Sequence, residues 1–321
     1  MSNKVHLIKR AIEVAYDNAK YSMYEVPKGI LKCKKKLCNV HTHYIVICDH
    51  IGDFLITMGY IKAYREKNNI KHITICITQK FIPLLRNYSE YFDAYKILDI
   101  QELYEILKIG STKFGCHALL KMPNITLVNP GNAFVLEYFE YIKYFPNISL
   151  HDCIKYGIFH LKKEEEFVVP KVRIKENNEN ELKKVLICPD AQFLRKKENN
   201  IFLEKIVEEL INGGYSIYTN TPFKDEKALP RTQSKKMSLQ EVCDFTFNGG
   251  VVIGIRSGLF DLLAYIPGRI VTIYPDKEYF SLFDLKSLPN TKADMLQVFE
   301  NEELETEVKK IKKFIGGEKW Q

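Results

Sequence analysis

Short runs of Ile, Val and other β-branched or aromatic residues alternate along this chain with segments whose apolar residues recur at helical spacing, and the alternation occurs twice. In the first series the apolar runs lie at 44–48 (YIVIC), 72–78 (HITICIT) and 94–98, and helical patterns follow at 54–67, 81–88 and 101–108. In the second they lie at 184–188, 216–219, 251–255 and 270–274, with helical patterns at 200–212, 239–245, 258–266 and 302–314. An uninterrupted apolar run is what a strand buried on both faces of a parallel sheet requires. Strand, helix and strand in alternation imply right-handed crossovers and hence a doubly wound, Rossmann-like α/β fold.

Between the two series, residues 162–184 (KKEEEFVVPKVRIKENNENELKK) are strongly charged, contain Pro170 and lack a sustained period. A chain of 321 residues exceeds the usual size of one domain. The reading is therefore two Rossmann-like domains, 1–170 and 171–321, facing across a cleft with their ligands at the carboxyl ends of the strands. The first carries an N-terminal extension: a rough helical period over 3–24, ended by the turn signal Pro27-Lys28-Gly29 and followed by the basic run 32–36 (KCKKK).

Composition narrows the class little. Hydrophobic residues make up 46% and charged residues 27%, values of an ordinary globular protein. The net charge of +7 suits a phosphate-bearing small molecule without indicating nucleic acid. No apolar stretch reaches the roughly 18–20 residues needed to cross a bilayer. The first residues lack the apolar core of a signal peptide, so a cytoplasmic protein with reduced thiols is expected. A lysine cluster beside an amphipathic helix also suits peripheral contact with the inner face of a membrane.

Three constellations carry candidate chemistry. Gly52-Asp53 follows the first strand and opens a helix: Gly52 permits a tight turn, and Asp53 serves either as a general base for an acceptor hydroxyl or as the helix N-cap. Arg256-Ser257-Gly258 joins the strand 251–255 to a helix whose first N–H groups would meet a diphosphate, with Arg256 as a bidentate phosphate ligand. The alternative there is an N-capping Ser257 and a surface cation. The loop 189–197 (PDAQFLRKK) offers Lys196 and Lys197 as cations for a leaving diphosphate. Glu226, in a loop beyond the strand 216–219, is a candidate for a nucleotide ribose.

Absences narrow the chemistry further. The sequence holds no G-x-G-x-x-G, and the segment 110–116 (GSTKFGC) has Cys116 where a phosphate-binding P-loop requires lysine. With no Asp-x-Asp metal clamp, no metal and no cofactor are expected. His41 and His43 share a face without a third ligand at metal-binding spacing.

At these residues the sequence resembles the lipopolysaccharide heptosyltransferase family, the GT9-type enzymes of the GT-B fold. His50-Ile51-Gly52-Asp53-Phe54-Leu55 is similar to that family's strand-to-helix Gly-Asp turn, and the resemblance implies that Asp53 is the base. The loop ICPDAQFLRKK, the helix start Ser238-Leu239-Gln240-Glu241 and the segment 251–264 resemble the second domain. At the last point the family reads Asp-Ser/Thr-Gly-x-x-His, whereas this chain has Arg256-Ser257-Gly258 and Asp261. The resemblance implies an inverting, metal-independent transfer of a hexosyl or heptosyl group from a nucleotide sugar to a glycan or lipid-linked acceptor. A nucleotide-sugar epimerase of the same fold, or a non-catalytic binding protein, are the alternatives.

Overall fold

A computed structural model describes residues 16, 19–129, 148–176, 183–189, 201–222, 227–275, 277 and 280–316. The chain divides into two compact units, Met1–Val168 and Val169–Gln321. Each contains one parallel sheet.

In the first unit the strands are β1 (His43–Ile47), β2 (Ile73–Ile77), β3 (Ala94–Ile97) and β4 (Ile125–Val128), in the spatial order β3-β2-β1-β4. Helix α1 (Val26–Lys36) precedes them, α2 (Ile51–Lys67) joins β1 to β2, α3 (Ile100–Leu107) follows β3, and α4 (Lys113–Leu119) precedes β4. Helix α2 has no exposed face from Gly52 to Ile61: Phe54, Leu55, Ile56, Met58, Tyr60 and Ile61 are buried, and the polar Asp53 and Thr57 are buried among them. Each such apolar side chain contributes about 1.5–3 kcal/mol through the apolar surface it removes from water.

Helix α1 corrects the reading of the N-terminal region. Pro27-Lys28-Gly29 is not a terminator but part of the first turn, where a proline's missing N–H costs nothing. Gly29 packs against α3: a Cβ there would stand 2.5 Å from the Glu105 carbonyl oxygen. The run 32–36 is the end of this helix rather than a loop. Lys28, Lys32 and Lys36 lie along one side of it and pair with α3 carboxylates, Lys28 to Glu105 at 2.8 Å, Lys32 to Glu105 at 3.2 Å and Lys36 to Glu102 at 2.7 Å. The hydrogen bond from Lys28 is the main cause that lowers the Glu105 carboxyl below its ordinary range. Cys33 is buried in the apolar cluster with Val26, Leu103 and Ile106, where desolvation pushes its thiol up to about 12, and Cys38 is exposed.

The second unit holds β5 (Lys184–Cys188), β6 (Ser216–Asn220), β7 (Gln233–Lys235), β8 (Val251–Ile255), β9 (Arg269–Tyr274) and β10 (Asp294–Phe299), in the order β10-β9-β8-β5-β6-β7. Its helices are α5 (Ile201–Asn212), α6 (Leu239–Phe247), α7 (Gly258–Leu263) and α8 (Leu304–Ile315). One core, including Val185, Ile187, Ile206, Val251, Ile253, Val271, Ile273 and Ile311, joins the central strands to α5 and α8. Ser238 caps α6 in a reciprocal box with Glu241: Ser238 N–H donates to Glu241 Oε2 at 2.7 Å while Glu241 N–H donates to Ser238 Oγ at 3.4 Å. The Ser-Leu-x-Glu pattern is thus accounted for by helix capping.

Candidate active site

In a doubly wound sheet, ligands bind outside the carboxyl ends of the strands at the point where strand order reverses. In the first sheet, β1 leads outward through β2 to β3 on one side and β4 lies on the other, so the reversal falls between β1 and β4. In the second it falls between β5 and β8. Gly254, near the end of β8, pairs with Cys188 at the end of β5. A Cβ on Gly254 would stand 2.3 Å from the Cys188 carbonyl oxygen, so the close approach at this point requires glycine.

Asp53 lies just beyond the carboxyl end of β1. The N-cap of α2 is His50, whose backbone is extended, and Asp53 falls in the first helical turn rather than at the cap. A carboxylate is favoured there by the exposed N–H groups. Gly52 is a helical residue of that same turn. The tight bend comes earlier, where His50 N–H donates to Cys48 O at 2.9 Å, so the turn role given to Gly52 is corrected. Asp53 is buried, and the Cys48 thiol donates to its Oδ2 at 2.9 Å. Burial pushes the Cys48 thiol well above its ordinary value, and the neighbouring Asp53 carboxylate adds to the rise, so Cys48 stays protonated and acts as a donor.

Sequence reasoning missed a polar cluster on the same edge. Asp49, two residues beyond β1, accepts from Thr78 Oγ1, and its side chain and carbonyl oxygen both accept from Lys80 Nζ. Thr78 and Lys80 follow β2. The available signal was position alone, since a polar residue immediately after a buried parallel strand stands on the ligand-binding edge.

Arg256 follows β8 and is turned inward. Only 5% of its surface is exposed, and it forms a bidentate pair with Asp261 of α7, itself 3% exposed. Nη2 donates to Asp261 Oδ1 at 2.5 Å and Nη1 to Oδ2 at 3.0 Å. Nη1 also donates to Ser257 O at 2.6 Å and Nε to Phe283 O at 2.9 Å. Desolvation works against both charges: it raises the Asp261 carboxyl against the pull of Arg256, while the Asp261 carboxylate holds the guanidinium above its ordinary value despite burial. Arg256 as a phosphate fork is therefore corrected, because the N–H groups that would grip a phosphate are committed within the protein. The two departures noted in the sequence, Arg256 and Asp261, are one buried ion pair. Ser257 occupies the N-cap position of α7 with extended backbone, but its hydroxyl makes no capping bond. Gly258 opens the helix.

Lys196, Lys197 and Glu226 lie outside the described residues. His43 is hydrogen-bonded within the first unit. Its Nε2 is 2.8 Å from Thr126 Oγ1 and 3.3 Å from the Tyr64 hydroxyl, and burial pushes the imidazole down to about 4. Among the described residues no cluster of His, Cys, Asp and Glu is arranged to hold a metal ion, and no helix is long and apolar enough to cross a membrane.

Two doubly wound units in tandem, each with a reversal point at its carboxyl edge, define the class: the chain has the GT-B glycosyltransferase fold. No family model matches the sequence, and no curated protein matches it. The likeness is to solved structures. The Escherichia coli ADP-heptose lipopolysaccharide heptosyltransferase II superposes with a TM-score of 0.52 at 13% identity, over 86% of this chain and 99% of that one. The iron-containing dodecameric glycosyltransferase TibC from enterotoxigenic E. coli does so with a TM-score of 0.52 at 14% identity, over 82% of this chain and 65% of that one. The E. coli heptosyltransferase WaaC, solved with ADP, gives a TM-score of 0.50 at 11% identity, over 86% of this chain and 99% of its own.

Proposed function

We propose that this protein transfers a sugar from a nucleotide-sugar donor to a glycan or lipid-linked acceptor, with inversion and without a metal ion, in the cytoplasm. The observation that carries this reading is the reversal of strand order between β5 and β8, which puts the Ser257-Gly258 turn where a doubly wound sheet binds its ligand. The donor diphosphate sits against the backbone N–H groups of that turn and the Ser257 hydroxyl. With Arg256 spent internally, Lys196 and Lys197 supply the cations, and Glu226 takes the ribose. Asp53 accepts the proton of the attacking hydroxyl. The fold neighbours WaaC, solved with ADP, and heptosyltransferase II, named for ADP-heptose, support a nucleoside-diphosphate sugar as donor.

The test is a thermal-shift screen of nucleoside diphosphates and nucleotide sugars. A ligand at a hundredfold excess over its Kd stabilises the folded form by about 2.7 kcal/mol, so at least one nucleotide is expected to raise the melting temperature by several degrees. Failure of every nucleotide to shift it overturns the reading.

Peripheral contact with an anionic membrane follows from a lipid-linked acceptor, and α1 bears on it. Lys28, Lys32 and Lys36 are engaged with α3, but Lys34 and Lys35 are exposed, as are the apolar residues Met23, Tyr24 and Leu31 of the same stretch of chain. Two lysines provide about 1 kcal/mol each at an anionic surface, so salt-sensitive co-sedimentation with phosphatidylserine vesicles is expected. It should be lost on Lys34→Gln/Lys35→Gln. Absence of sedimentation at low salt removes the membrane from the reading.

A further inference from the structure

The polar groups beneath the carboxyl edge of the second sheet form one connected set. The Arg256 guanidinium meets Asp261, the Ser257 carbonyl and the Phe283 carbonyl. The hydroxyl of Tyr274, the last residue of β9, lies 2.8 Å from that same Phe283 oxygen and 2.6 Å from Gln297 Oε1 of β10. Gln297 donates from Nε2 to Asp284 Oδ1 at 2.8 Å, and its Oε1 accepts from Leu285 N–H at 3.2 Å. The network thus runs from the turn after β8, through the end of β9 and Gln297 of β10, to residues 283–285 within the segment 280–287.

Stability alone does not call for charges here, since apolar side chains of similar volume serve a buried site about as well as an ion pair. What the guanidinium adds is geometry. Its planar fork has fixed donor directions, and the carboxylate and both carbonyls lie along them at once. A shift of either the Ser257 carbonyl or the Phe283 carbonyl away from the fork leaves a guanidinium N–H buried without its acceptor. Tyr274 and Gln297 fasten the segment 280–287 to the sheet, and the Arg256 side chain ties it in turn to the Ser257 carbonyl.

We propose that Arg256 is a positioning residue that couples the Ser257-Gly258 turn to residues 280–287, so that nucleotide affinity in the second unit depends on a guanidinium that does not touch the nucleotide. The proposal rests on the donor-site reading above. It accounts for a buried cation beside a candidate diphosphate site being turned away from it.

The deciding variant is Arg256→Met/Asp261→Leu, which removes both charges and keeps apolar volume, so that the fold survives while the fork is lost. Two measurements are made on the full chain: calorimetric titration with the nucleoside diphosphate giving the largest thermal shift, and amide hydrogen exchange without ligand. The double variant is expected to keep the wild-type unfolding midpoint, to weaken nucleotide binding by about tenfold or more, and to speed exchange at 257–260 and 280–287 together. Exchange in α5 and α8 should stay unchanged. Arg256→Lys, which keeps the charge but not the fork, should show the same loss of affinity. Affinity within about twofold of wild type, or exchange that rises in only one of the two segments, overturns the proposal. Should the wild type bind no nucleotide, the donor-site reading falls, and the exchange measurement decides the coupling alone.

Discussion

Asp53→Asn is expected to lower turnover by about 10²–10⁴-fold, the usual contribution of a positioned general base. The substitution changes one oxygen to an amide and preserves shape, so donor affinity should be retained and the loss should appear in kcat rather than in nucleotide Kd. The environment makes this test clean. Asp53 is buried in the first turn of α2, its helix is held by Phe54, Leu55 and Met58, and the Cys48 thiol donor finds an acceptor oxygen in Asn as well as in Asp. The measurement is release of nucleoside diphosphate from the nucleotide sugar that shifts the melting temperature most, with acceptor glycans and with water as acceptor. Wild-type turnover in Asp53→Asn would leave the carboxylate as a helix-stabilising group and remove the base from the mechanism.

The central strands were legible because burial on both faces writes itself as an apolar run: YIVIC became β1 and VVIGI became β8. Strands β4 and β10 were not. They lie at the margins of the described sheets and are only partly buried, so ITLV and DMLQVF carry mixed polarity with no apolar run or strict alternation. That gap mattered for function, because β4 creates the reversal point of the first sheet beside the Asp53-bearing helix. Helix α1 was hidden by a local signal with a tertiary cause, since Gly29 in Pro27-Lys28-Gly29 is there to let α3 approach. At the site, position on the chain was readable and orientation was not. The sequence puts Arg256 at a strand end, but whether its guanidinium faces out to a ligand or in to Asp261, five residues on, is decided by α7 and by the carbonyl of Phe283. Asp49, Thr78 and Lys80 are single polar residues after strands, and only the sheet order brings them together on one edge.

Arg256→Ala is expected to cost about 3–5 kcal/mol of stability, far more than truncation of a surface cation. The large figure is not the worth of the ion pair. It is the consequence of leaving the Asp261 carboxylate without its partner in a site where 3% of its surface is exposed. Desolvation already raises the Asp261 carboxyl with Arg256 present, so without the guanidinium the group would protonate or draw in water, and either response disturbs α7. The control is Arg256→Met/Asp261→Leu. Removing both charges removes the desolvation debt along with the attraction, and such replacements are often neutral or stabilising. Urea unfolding followed by far-ultraviolet circular dichroism measures both, with midpoints compared at a constant dependence on denaturant. A single variant that loses less than about 1 kcal/mol would match an exposed ion pair and put Arg256 back at the surface as a potential phosphate ligand. A double variant less stable than the single one would show that the pair contributes net stability to the second unit beyond the geometry it imposes.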